Sequence, residues 1–185
     1  MNNNVIKDKI DEIIDDVVKV NRGKGRYGEF DYFASALFLS ENIDEINDIV
    51  KSCLAERGVN VVEVTADGYE ISRRMNDVRF NNCLSTGVIC PDSAMTDKLT
   101  NKNTVLFLPN LEKMSDLVYR RLLLDMARTH IIADPRNEDG GFALLDSSFF
   151  AVATVGKMDA LALRTLRTYD AKDSFNSIWL DKNGD

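Results

Sequence analysis

The chain has 185 residues, enough for one sizeable core, and its 44% hydrophobic and 29% charged residues are the balance of an ordinary globular domain. A net charge of −7 argues against a surface devoted to gripping nucleic acid, while leaving room for a local basic patch. No apolar run approaches the roughly 20 residues that span a bilayer, and the acidic, periodic start MNNNVIKDKIDEIIDD does not resemble a signal peptide.

Residues 5–20 place Val5, Ile6, Ile10, Ile13, Ile14, Val17 and Val18 on one stripe with acids and lysines opposite, which predicts an amphipathic helix. Residues 21–29, NRGKGRYGE, form a basic, glycine-rich connection. Its GKGRYG fits G-x-G-x-x-G, but a dinucleotide motif follows a strand and opens a helix, whereas this one follows a helix and precedes a strand. It reads as a linker, with Arg22, Lys24 and Arg26 as candidate contacts for a phosphate or a partner's acidic surface. Residues 31–39, DYFASALFL, read as a buried strand. ENIDEINDIVKSCLAERG follows as a helix, with Ile43, Ile46, Ile49, Val50, Cys53 and Leu54 on one face and Gly58 as its stop. VNVVEV is a second strand, and the mixed, polar residues 66–103 predict a helix or two plus loop. The run Val105-Leu106-Phe107-Leu108 is a third strand, and SDLVYRRLLLDMARTH a helix with Ser115 or Asp116 as its N-cap. Asp134-Pro135 and Gly140-Gly141 are turn signals that predict a hairpin over 130–148. FFAVATV is a fourth strand, MDALALRTLRTYD a short helix and NSIWL a fifth strand. No internal repeat or low-complexity segment interrupts this series.

Buried strands alternating with helices predict an α/β three-layer sandwich around a mostly parallel five-stranded sheet, with an extra N-terminal helix. The expected organisation is a helix and basic linker over 1–29 and an α/β domain over 30–185. The odd set Cys53, Cys83 and Cys90 has no metal-ligand spacing and reads as reduced thiols of a cytoplasmic protein.

The segment TDKLTNKNTVLFLPNLEKMSDLVYRRLLLDMA resembles the centre of AAA+ ATPase domains, which belong to the P-loop NTPase fold. In that family a buried strand, an acid pair, a short turn and a long helix follow in this order. THIIADPRNEDGGFALLDSSFFAVATVGKMD is similar to the hairpin and fourth strand that come next, and Thr154 falls at or beside the polar sensor position. MDALALRTLRTYD resembles the segment after the sensor, where an arginine ahead of an aromatic residue reaches into a neighbouring subunit. Arg167 and Arg164 are the candidates for that role. The resemblance covers roughly residues 30–180 and implies a lid after the fifth strand, which the remaining sequence is too short to hold.

The departures from the family bear on function. A phosphate loop needs glycines, a lysine for the terminal phosphates and a hydroxyl for Mg²⁺. The matching stretch Ser40, Glu41, Asn42, Ile43, Asp44 and Glu45 has no glycine and no lysine, and Asp48 adds a further acid one turn on. Acids at a helix start complement its dipole but repel triphosphate and compete for the amides that anions use. Pro109 and Asn110 stand where the metal-binding and water-activating acids belong, and Glu112 lies two residues late. Proline offers no ligand, and asparagine orients a water without taking its proton. Phosphoryl transfer would therefore lack its positioning groups and its charge stabilisation, and no bound ATP or Mg²⁺ is expected.

His130, the only histidine, ends a predicted helix, where a cation caps the dipole. One histidine and no paired cysteines give little support to a zinc site or Cys-His catalysis, and no G-x-S-x-G element or carboxylate pair suggests hydrolysis. Arg120, Arg121, Arg128, Arg164, Arg167 and Lys172 form a basic set, with Arg73, Arg74 and Arg79 a weaker one. The sequence thus predicts a catalytically inactive AAA+-like domain acting through protein contacts as an assembly or regulatory subunit, with Arg164 or Arg167 offered in trans to a partner ATPase. The alternatives are a nucleic-acid-associated module using Arg120, Arg121 and the 22–26 segment, and a divergent nucleotide-binding enzyme.

Overall fold

The structure is a computed structural model that describes residues 3–23, 33–65, 80–83, 87–114, 117–136, 141–156 and 175–179. The first helix, α1 (Asn3–Gly23), buries Ile6, Ile10, Ile14 and Val17, the predicted stripe. Strand β1 (Ser35–Leu39) is shorter than the sequence suggested, since Phe33 and Ala34 precede the sheet. Helix α2 (Ile43–Glu56) ends where Gly58 takes φ +61°, its amide donating to the Ala55 carbonyl at 3.0 Å. A side chain is rarely tolerated at that backbone angle, so glycine closes the helix as expected. Strand β2 (Asn60–Glu63) follows directly.

In the region expected to be helix and loop, the described residues hold an antiparallel ribbon, β3 (Phe80–Cys83) with β4 (Val88–Pro91), and one helix, α3 (Ser93–Thr100). Asp92 caps α3, its carboxylate accepting from the Met95 amide at 2.7 Å. Strand β5 (Thr104–Leu108) is buried at every position, and a 3₁₀ turn, Leu111–Lys113, leads to α4 (Leu117–Thr129). The expected hairpin forms from β6 (Ile131–Ala133) and β7 (Phe142–Leu144). Strand β8 (Phe150–Val155) is again fully buried, and β9 is Phe175–Trp179.

The sheet runs β2-β5-β8-β1 with every pairing parallel, and β9 lies parallel to the outer side of β1. Each face carries its own core. Ala36, Phe38, Val105, Phe107, Phe150 and Val152 face α1 and α2. Leu37, Leu106, Leu108, Ala151, Ala153 and Val155 face α3, α4 and the hairpin elements. Burial on both faces explains why the strands read as unbroken apolar runs.

Helix α1 is part of the first core. Lys7 pairs with Glu56 at 2.7 Å, and Arg57 bridges from α2 to Asp11 and Asp15 of α1. At its end, buried Asn21 donates to the Ala34 carbonyl at 3.0 Å and accepts from the Ala34 amide at 2.7 Å. The side-chain amide thus pairs like a neighbouring strand and fixes the entry to β1. Among the described residues no helix is long and apolar enough to cross a membrane.

Candidate functional site

From β1 the chain crosses to the far edge at β2, steps back through β5 and β8, and passes to β9 on the other side of β1. In an open parallel sheet such a reversal leaves a crevice at the carboxyl ends of the strands. The register brings those ends together: Leu39 pairs with Val155, and Leu108 with Ala153. Ser40, Asn110, Thr154 and Gly156 therefore converge.

The site they form is occupied by the protein itself. Thr154 is fully buried, and its hydroxyl donates to Asn47 Oδ1 at 2.6 Å while accepting from the Asn110 amide at 3.0 Å. Asn47 Nδ2 donates back to Asn110 Oδ1 at 3.3 Å. Three residues, from α2, the turn after β5 and β8, thus close a ring of hydrogen bonds. Asn110 holds φ 52°, ψ 51°, a left-handed conformation that asparagine accepts more readily than most residues. Its side-chain oxygen is taken up by Asn47.

At the start of α2 the fully buried Ser40 donates its amide to the Val155 carbonyl at 3.1 Å and accepts from the Asn42 amide at 3.0 Å. Asn42 occupies the N-cap position without a side-chain cap, and Asp44 and Glu45 stand in the first turn. The acids therefore act through the dipole, and the hydroxyl of Ser40 serves the backbone just ahead of the helix. Glu41, Asp44 and Asp48 are exposed around this entrance.

Glu112, on the 3₁₀ turn, reaches across to β8. A Cβ built on Gly156 would lie 2.8 Å from Glu112 Oε1 and 3.5 Å from Cγ2 of Ile43. Glu112 Oε2 is buried and has no hydrogen-bond partner. The Glu112 carboxylate, the Gly156 backbone and Ile43 thus meet beside the start of α2. Pro109 is buried beside them.

Asn47 is the residue that sequence reasoning passed over. The available signal was its place within the apolar stripe of α2, between Ile43 and Val50, where a polar side chain is buried and needs a partner.

Several candidate contacts change character. Arg120 is a correction: it is 4% exposed and donates to the Leu111 carbonyl at 3.4 Å, so it is an interior residue and not a surface contact. Arg121 and Arg128 both pair with Asp125, which reduces their positive field. His130 is also corrected. Its main chain closes α4, the amide donating to Met126 O at 2.9 Å with φ at 57°, while its ring stacks on Phe33 at 3.5 Å and meets the edge of Phe149 at 5.2 Å. Core packing, and not a cationic cap, accounts for the side chain. Lys24, Arg26, Arg73, Arg74, Arg79, Arg164, Arg167, Lys172 and the helix expected over MDALALRTLRTYD lie outside the described residues, as do Ser115 and Asp116.

Among the described residues no three His, Cys, Asp or Glu side chains gather to hold a metal ion. Burial, and secondarily Asp11, pushes the Cys53 thiol up to about 12, which makes it an inert packing group. Among the described residues the site holds the hydroxyls of Ser40 and Thr154, the side-chain amides of Asn47 and Asn110 and the Glu112 carboxylate, and no lysine. Comparison of the sequence with models of protein families gives no match, and none of the curated proteins matches it.

Proposed function

We propose that the chain is an AAA+-like domain of the P-loop NTPase type whose nucleotide site has closed, and that it works through protein–protein contacts as an assembly or regulatory subunit. The observation that carries this reading is the hydrogen-bonded ring of Asn47, Asn110 and Thr154, with Glu112 over Gly156, at the strand ends where a nucleotide would sit. The order strand, turn, helix, hairpin, strand from β5 to β8 supports the resemblance on which the reading rests. In such an assembly Arg164 or Arg167 would be lent to a partner ATPase, where an arginine supplied in trans stabilises developing charge. Burial of Arg120 and the pairing of Arg121 weigh against the nucleic-acid reading.

Calorimetric titration of the pure protein with ATP and Mg²⁺, followed by a phosphate-release assay, tests the proposal. The expected result is no saturable heat and no turnover. Tight binding with turnover would overturn it.

A further inference from the structure

The amino ends of the strands, opposite the closed site, hold a crevice of about 340 Å³ between the end of α1 and the sheet. Val18, Val59 and Phe150 give it an apolar wall. Its polar residues differ in whether their hydrogen bonds are already used. Arg57 spends its terminal N–H groups on Asp11, Asp15 and the carbonyls of Cys53 and Asp11. The Ser148 hydroxyl donates to Asp146 Oδ1 at 2.6 Å and accepts from the Asn103 amide at 2.8 Å.

Arg22 and the side-chain amide of Asn103 are different. Neither makes a hydrogen bond or ion pair with any described residue. Arg22 is exposed on the last turn of α1. Asn103 is pinned at φ 55° by its own main chain, which receives the Asn60 amide at 2.8 Å and donates to Ser148. Among the described residues a guanidinium and an amide thus stand uncommitted beside an apolar wall. Asp15 also borders the crevice and shares Arg57 with Asp11.

We propose that this crevice binds a small monocarboxylate with an apolar body. The planar guanidinium of Arg22 matches a carboxylate in a two-pronged pair, the Asn103 amide adds a donor, and the body lies against Val18, Val59 and Phe150. A compact phosphate leaves the apolar wall unused and sets a second negative charge near Asp15. The site is separate from the closed one at the carboxyl ends and stands whether or not the functional reading above holds.

Titration of ¹⁵N-labelled full-length protein tests this with three probes: benzoate, benzyl alcohol of similar shape without the charge, and inorganic phosphate without the body. The expected result is saturable shifts with benzoate alone. Arg22→Ala weakens benzoate by about tenfold or more with an unchanged melting temperature, because the side chain is exposed. Asn103→Gly, which suits the left-handed backbone, weakens benzoate several-fold while the fold is kept. Absence of saturation with benzoate, equal binding of benzyl alcohol, tighter binding of phosphate, or unchanged affinity in Arg22→Ala would each overturn the proposal.

Discussion

Thr154 Oγ1 gives its proton to Asn47 and takes one from the Asn110 amide, so its removal orphans two buried groups at once. Thr154→Val keeps the shape and is expected to cost about 2–4 kcal/mol, measured by urea unfolding. Thr154→Ser keeps the oxygen and should cost about 1 kcal/mol, the share of one buried methyl. Equal losses in the two variants would show that the ring contributes nothing. Cys53 gives a prediction in pH. Its folded pKa, about 12, lies above the ordinary thiol value, so the unfolded chain releases its proton first as pH rises. The stabilising contribution is complete below about pH 9 and is lost toward pH 12, by up to about 1.4 kcal/mol per unit. The unfolding free energy of the parent chain should therefore fall more steeply over this window than that of Cys53→Ala. Sequence located Ser40, Asn110 and Thr154 because strand ends are visible in apolar runs. It passed over Asn47 because helical spacing says which side faces inward, not which inward polar group finds a partner.

The elements meet through a few specific contacts. Asn21 saturates both polar atoms of Ala34, and Asn21→Ala leaves a buried N–H and C=O without partners. A loss of about 2–3 kcal/mol is expected in thermal or urea unfolding, and a loss under 0.5 would show that water replaces the amide freely. Between the 3₁₀ turn and β8, a methyl on Gly156 would press on Glu112 Oε1. Gly156→Ala should cost about 1–3 kcal/mol, falling below about 1 when combined with Glu112→Ala, as a double-mutant cycle would read. Helices α1, α2 and α4 were legible from their 3.6-residue stripes, and the buried strands from their length and flanking turns. The β3–β4 ribbon was not, since four-residue strands carrying Asn81 and Asn82 show no alternation, and Gly87 at φ +67° was its one turn signal. Arg120 misled for a related reason: charge says nothing of burial until the packing of α4 against the turn is known.

Across the whole molecule the sheet has two cores, and α1 supplies a wall of one of them. Its periodicity was plain in the sequence, but its docking on the sheet was not, because a stripe does not name the surface it covers. Removal of residues 1–23 would bare Ala36, Phe38, Phe150 and Val152, and the shortened chain is expected to bind a hydrophobic dye and lose cooperative unfolding. A sharp, parent-like melting transition would show that the sheet stands without its first helix. The grip of Asn21 on Ala34 carries one more consequence. It brings both ends of the 22–33 stretch to one point, so extra residues placed there enlarge a closed detour instead of prying two elements apart. Doubling a flexible closed loop costs only about 0.6 kcal/mol. An epitope tag spliced into this stretch is thus expected to leave the Asn21–Ala34 pair in place, which an unchanged melting temperature would show.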